Sequence, residues 1–89
     1  MNNDKQILLN SITKIHTTEM GLLRIVNNLS LKDCYPVEWC KLLIKDESSC
    51  VTRKGKNWYV TLKNNIITIN INSLTIITAH KKNDIKERN

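Results

Sequence analysis

Two histidines and one arginine are the residues of this chain whose chemistry best suits proton transfer at a phosphodiester. Imidazole titrates near neutral pH, so it can accept or donate a proton during cleavage. Such a reaction without metal needs a base for the 2′-hydroxyl, a cation for the phosphate and an acid for the leaving oxygen. The candidate catalytic residues are therefore His80, His16 and Arg24, with Arg53 and Tyr59 as further polar parts. They are scattered along the chain, so only the fold can bring them together.

Each of these three candidates also has an interpretation without catalysis. His80 ends the run "NSLTIITAH" and can be the last residue of a strand before a solvated segment. His16 stands at a predicted helix boundary, where it can hydrogen-bond the backbone. Arg24 can form a surface ion pair with Glu19 or Glu38, which contributes little stability.

The distribution of charge predicts a polyanionic partner, nucleic acid first. The net charge is +6, and residues 1–50 hold six Lys/Arg and six Asp/Glu, so the whole excess lies in residues 51–89. Basic side chains neutralise phosphates, and an exposed aromatic ring can stack a base. A surface kept soluble by lysines is the alternative. The predicted nucleic-acid-binding residues are Arg53, Lys54, Lys56, Tyr59, Lys63, Lys81 and Lys82.

The sequence predicts neither a metal site nor a cofactor. Cys34, Cys40 and Cys50 have spacings of six and ten, which match no disulfide framework and no paired zinc pattern. Buried or half-buried thiols are the favoured interpretation, although Cys34 and Cys40 could approach each other. Gly21 and Gly55 are the two glycines, so there is no glycine-rich phosphate loop.

The first half of the chain has helical periodicity. Leu8, Ile12 and Ile15 follow one helical face, and a second periodic segment runs from Met20 to Leu29. Thr17 or Thr18 is expected to cap that second helix, and "HTT" before it indicates a sharp bend. A third helix begins at Pro36 and buries Val37, Cys40, Leu43 and Ile44.

After Ser49 the hydrophobic period changes from 3.6 to two, which predicts four strands. Turns are expected at Gly55–Lys56, Asn64–Asn65 and Asn72–Ser73, and alternation points Trp58 to the core and Tyr59 outward. The predicted fold is α+β, with two to three N-terminal helices packed on a four-stranded antiparallel β-meander. The domain is expected to span residues 1–82, followed by a charged tail at 83–89.

Length and hydropathy predict a cytoplasmic protein without a membrane span. No stretch approaches the roughly 18 apolar residues of a transmembrane helix. The start "MNNDKQILLN" has no apolar region of the signal-peptide type.

The first helix either packs across the others or mediates self-association, so a homodimer is one expectation.

Four segments carry a resemblance to a known family. The stretches "IHTTEMGLLRIVNNLSL", "VEWCK", "RKGKNWYV" and "TIITAH" resemble the small bacterial family catalogued as domain of unknown function 3781. They extend from residue 15 to residue 80. The resemblance implies no catalytic residues, because that family has no established function.

The order of elements is also similar to the RelE-like and BrnT-like ribonuclease toxins. That similarity implies a small, basic, metal-independent ribonuclease with a protein antitoxin as partner, and by position it selects His16, Arg24 and His80. The chain departs from those toxins because no dense set of Arg and Lys lines the predicted open face. The alternatives are a noncatalytic protein-interaction module and a self-associating structural protein.

Overall fold

A computed structural model describes residues 4–29 and 35–81 of the chain. The helices are α1 (Asp4–Asn10), α2 (Glu19–Leu29) and α3 (Pro36–Lys45), with a 3-10 turn at Ile12–Lys14. The strands are β1 (His16–Thr17), β2 (Cys50–Lys54), β3 (Asn57–Leu62), β4 (Asn65–Asn70) and β5 (Thr75–Lys81). The predicted α+β class is confirmed. Lys82 and the predicted tail at 83–89 lie outside the described residues, as does Cys34.

The second and third helices begin where the sequence predicts, and the first helix is shorter than its hydrophobic pattern predicts. α1 ends at Asn10, and the backbone continues with hydrogen bonds between residues three apart. Ser11 N donates to Leu8 O at 3.0 Å, and Lys14 N donates to Ser11 O at 2.9 Å. The β-branched residues at 12, 13 and 15 are poor α-helix formers, which favours this change. Leu8 and Ile15 are nevertheless both buried.

Capping explains the starts of the two longer helices. Thr18 caps α2, because its Oγ1 accepts a hydrogen bond from Gly21 N at 3.0 Å. Pro36 occupies the first turn of α3, where its missing N–H would have no partner within the helix.

None of the described helices is both long and apolar enough to cross a membrane.

The sheet has five strands in the order β1-β5-β4-β3-β2, one more than predicted. Strands β2 to β5 form the expected antiparallel meander. The segment predicted as a bend, "HTT", contains β1, which pairs parallel to β5 with His16 opposite Thr75 and Thr17 opposite Ile76. The sheet is therefore mixed. Two residues are too few to show a period, so only the pairing reveals this strand.

One of the three predicted turns is displaced, and the other two lie where the sequence predicts them. Gly55 adopts a positive φ of 64°, as a Gly55–Lys56 turn requires. The next positive φ belongs to Lys63 (57°), so this turn lies one residue earlier than the Asn64–Asn65 prediction. In the β4–β5 loop the positive φ is at Leu74 (57°), while Asn70 Oδ1 accepts hydrogen bonds from Asn72 N and Ser73 N.

One face of the sheet packs against the helices. Cross-strand partners in β5, β4, β3 and β2 on this face are Ala79, Ile67, Val60 and Val51, each at most 1% exposed. The buried residues of all three helices belong to the same cluster. The described residues therefore share one hydrophobic core on one side of the sheet.

A β-bulge in β5 decides which residues reach that core. Thr68 pairs with Thr78 but Ile69 pairs with Ile76, so Ile77 is an extra residue in β5. Ile76 and Ala79 consequently both face the core, although simple alternation would separate them. Strict alternation in the sequence would place Ile76 on the same face as Thr78 and His80, but the bulge reverses the alternation between residues 76 and 78 and puts Ile76 on the core face.

Candidate nucleic-acid interface

The face of the sheet opposite the core is called the open face. Its central row is Thr52, Tyr59, Thr68 and Thr78, which pair across β2, β3, β4 and β5. A second row towards the β3–β4 turn is Cys50, Thr61, Ile66 and His80, and a third towards the β2–β3 turn contains Lys54, Asn57 and Asn70. The open face is thus mostly hydroxyl and amide groups. Thr68 at its centre is only 7% exposed, and Asn28 of α2 donates to Thr78 Oγ1 at 3.3 Å.

Tyr59 is the aromatic residue of the open face. It lies between Thr52 and Thr68 in the pairing register and is half-buried. Trp58, the next residue, points the other way and is only 3% exposed. The predicted orientations of these two aromatic residues are confirmed.

The basic residues divide into two clusters at opposite ends of the sheet. The β2–β3 cluster is Arg53, Lys54 and Lys56, all exposed around Gly55. The β3–β4 cluster is Lys63 and Lys81, both exposed, with Lys81 opposite Asn65 in the β4–β5 pairing. Lys63 follows Lys56 by seven positions, so the clusters lie about 20 Å apart along β3. Tyr59 lies between them.

Charge is separated between the two parts of the described chain. Residues 4–29 and 35–49 hold five Lys/Arg and five Asp/Glu. Residues 50–81 hold five Lys/Arg and no Asp or Glu. The formal charge of the helical part is therefore zero and that of the β2–β5 segment is +5, with histidine counted as neutral.

The two histidines lie at opposite ends of β5. His80 is half-buried on the open face, and its ring has no hydrogen-bond partner within residues 4–29 and 35–81. His16 pairs with Thr75, five residues before His80, so the two rings are separated by about 15 Å along the strand. The fold therefore does not bring them into one site.

Both ring nitrogens of His16 already have partners. Nδ1 lies 3.0 Å from the carbonyl oxygen of Lys14, and Nε2 lies 3.2 Å from Thr75 Oγ1. A carbonyl can only accept, so Nδ1 carries the proton, and in the neutral ring Nε2 accepts from the threonine hydroxyl. This arrangement joins β1 to β5 and to the preceding turn.

Arg24 is an exposed residue of α2, immediately before the buried Ile25. Glu38, one of its two predicted ion-pair partners, instead approaches Lys41, with Oε2 4.0 Å from Nζ. The two predicted catalytic histidines are thus separated along β5, and Arg24 belongs to α2.

The cysteines differ in their surroundings. Cys40 is completely buried in α3, and desolvation raises the pKa of its thiol to about 12. Cys50 is exposed on the open face. Within the described part of the chain, no three His, Cys, Asp or Glu side chains are grouped as metal ligands would be.

Sequence reasoning missed two features of this region. The threonines of the open face have a visible signal, because each of the four strands β2 to β5 has a threonine next to a buried apolar residue. A groove beside Lys63, lined by Trp39, Leu42 and Asp46 among others, has no signal in the sequence. Its two walls are more than fifteen residues apart in the chain, so only the packing of α3 against the β3–β4 turn creates it.

These features define a small α+β domain whose mixed sheet has helices on one face and exposed basic residues at two opposite ends. The chain belongs to the family described as "Protein of unknown function (DUF3781)", whose model matches residues 9–80. The match includes both histidines, Arg24, Tyr59 and every basic candidate except Lys81 and Lys82. No curated protein and no solved structure matches the chain.

Proposed function

We propose that the open face of the sheet binds single-stranded RNA. The observation that carries this proposal is the absence of acidic residues from residues 50–81, which hold five Lys/Arg together with the outward-facing Tyr59. A positive potential over the sheet attracts phosphates, and the neutral helical part does not oppose it. The separation of charge therefore favours a polyanion at the sheet.

Tyr59 favours an unpaired nucleic acid over a duplex. A base can stack on an aromatic ring only when its own face is free, which holds in a single strand. Such a stack contributes about 1–3 kcal/mol per base and depends little on sequence. Phosphates at the two basic clusters and a base on Tyr59 fit one strand lying along β3.

The hydroxyl groups of the open face favour RNA. Thr52 and Thr61 belong to the open face on either side of Tyr59 in the rows described above. Hydroxyl groups can donate to and accept from a ribose 2′-hydroxyl, which DNA lacks. We therefore expect tighter binding of an RNA oligonucleotide than of the DNA with the same sequence.

The test is fluorescence anisotropy of a labelled single-stranded RNA over a series of salt concentrations. If all five Lys/Arg of residues 50–81 contact phosphates, log K should fall against log salt with a slope of about −3.5, since each contact contributes about 0.7. The double substitution Lys54→Gln and Lys56→Gln should reduce that slope to about −2.

A matched control removes the same charge elsewhere. Lys14 and Lys45 are exposed and lie outside the sheet, so Lys14→Gln with Lys45→Gln lowers the net charge equally. We expect this double variant to keep the slope of the unmodified protein. Equal effects from the two double variants, or binding that ignores salt, would contradict the proposed interface.

Metal-independent cleavage of RNA is the second candidate function. The observation that favours it is His80, whose ring is on the open face, free of a partner among the described residues, one residue from Lys81. An imidazole there could take the 2′-hydroxyl proton as a general base. The similarity to ribonuclease toxins adds an antitoxin as a further partner.

Incubation with a mixed RNA pool in chelator separates binding from cleavage. Cleavage that His80→Ala abolishes, with unchanged thermal unfolding, would support the catalytic candidate, and His16→Ala serves as the control at the other end of β5. Binding without cleavage would leave the first proposal alone. If neither occurs, a protein partner or self-association becomes the better explanation, and the exposed Met20 and Leu23 of α2 are the surface to test.

A further inference from the structure

A groove of about 310 Å³ lies beside the β3–β4 turn, on the helix side of the sheet. One wall comes from α3 and the residue after it, and the other from the end of β3 and the turn. The residues that line the groove are Trp39, Leu42, Leu43, Asp46, Leu62, Lys63 and Asn65. Its volume is at the lower end of the range for small-molecule sites, which suits an object the size of one nucleobase.

The lining combines an apolar interior with polar groups at its margin. Trp39 is half-buried and Leu42 is 67% exposed, so apolar surface is open to solvent. Asp46 supplies a carboxylate and Asn65 an amide. Asp46 Oδ1 accepts a hydrogen bond from Ser48 N at 2.8 Å, which fixes the carboxylate in position. Its second oxygen leaves an acceptor for a ligand.

The groove lies beside one of the two basic clusters, the β3–β4 cluster. Lys63 both lines the groove and belongs to the β3–β4 cluster. Asn65, on the same margin, pairs with Lys81 of that cluster. A strand whose phosphates lie at Lys63 and Lys81 therefore has the groove within reach of its next base.

We propose that the groove receives one unpaired base of the RNA strand, which stacks on Trp39 and donates from an exocyclic amino group to Asp46. This inference rests on the proposed function, because the backbone is held by the β3–β4 cluster. Adenine, guanine and cytosine carry an exocyclic amino group and uracil does not. The groove should therefore make the protein discriminate against a strand that contains only uracil.

The polar margin is the reason for choosing a base over an aliphatic side chain of a protein partner. A nucleobase has both donors and acceptors on its edge and two apolar faces. The groove offers an acceptor at Asp46, donors at Asn65 and Lys63, and an aromatic ring at Trp39. An aliphatic side chain would leave these polar groups unused.

The test compares two labelled oligonucleotides by anisotropy, an oligouridine and the same strand with one adenosine at its centre. We expect the adenosine strand to bind roughly fivefold to tenfold tighter, as one charge-assisted hydrogen bond and a better stack allow. Trp39→Leu should remove this preference, whereas Lys54→Gln should weaken both strands by the same factor.

A second measurement does not depend on the Trp39 variant folding. In the Trp58→Phe protein Trp39 is the remaining tryptophan, so the adenosine strand should quench its emission more strongly than oligouridine does. Salt-dependent binding of both strands with equal affinity and equal quenching would overturn the groove inference and leave the proposed function intact. Failure to bind either strand would overturn both.

Discussion

Gly21 is a position of close contact between α2 and the strand pair β1 and β5. A Cβ added there would collide with Thr17 Oγ1 and would lie 3.1 Å from the carbonyl oxygen of Ile76. Thr17 Oγ1 cannot move away freely, because it donates a hydrogen bond of 2.8 Å to that same carbonyl. Gly21→Ala therefore tests the contact between α2 and the strand pair that the sequence did not reveal.

Three contributions set the expected size of the effect. Alanine is about 1 kcal/mol better than glycine inside a helix. Overpacking costs about 1–3 kcal/mol, and loss of the Thr17 hydrogen bond costs about 1 kcal/mol. The net loss of unfolding free energy is therefore about 1–3 kcal/mol. In a domain of this size that corresponds to a fall in Tm of about 5–15 °C.

A double-mutant cycle separates this contact from a general weakness of the helix. Thr17→Ala removes the colliding oxygen, so Gly21→Ala in that background should cost at least about 1 kcal/mol less than in the unmodified protein. Asn27→Ala is the matched control, since Asn27 is exposed on the same helix and alanine should stabilise it slightly.

Urea denaturation followed by far-ultraviolet circular dichroism measures all five proteins. Two results would refute the reasoning. One is a Gly21→Ala protein as stable as the unmodified one. The other is an equal loss in both backgrounds, which would mean that Thr17 does not lie against α2.

Three further substitutions test other parts of the structure. Lys5→Met should lower the unfolding free energy by about 1.5 kcal/mol in urea denaturation, because Lys5 Nζ donates to Asp46 O at 2.7 Å and to Ser49 O at 2.8 Å. Burial raises the pKa of the Cys40 thiol from 9.0 to about 12, so the folded state favours the neutral thiol. The unfolding free energy should therefore fall as pH rises from 9 towards 12, by up to about 1.4 kcal/mol per pH unit. Cys40→Ala should lack this pH-dependent loss when denaturation is measured across that range. Lys63→Gly should raise the Tm, because φ at this residue is 57°, and should weaken RNA binding in the anisotropy assay. An unchanged Tm would show that the turn carries no such strain.

Several elements can be predicted from sequence patterns that lie within the element itself. The third helix is predictable because Pro36 suits a first turn and the buried positions repeat at helical spacing. The orientation of Trp58 and Tyr59 is predictable because strict alternation leaves one face for each. In both cases the information lies within about ten residues.

Other elements depend on contacts that a local pattern does not contain. β1 has two residues and exists because it pairs with β5, nearly sixty positions later in the chain. The bulge at Ile77 and the positive φ of Lys63 reflect how β5 and the β3–β4 turn fit their neighbours. Propensity favours asparagine for the left-handed region, but here the register of the hairpin assigned that conformation to a lysine.

The sequence by itself determined the composition of the surface: an acid-free segment from residue 50 to residue 81 whose polar residues alternate with apolar ones. Only the tertiary structure decided which of those residues meet. It separated His16 from His80 along β5, divided the basic residues between two ends of the sheet, and brought Lys63 beside Trp39. The reason is that charge and alternation are properties of the chain, whereas strand order, bulges and helix packing are set by contacts between residues far apart in it.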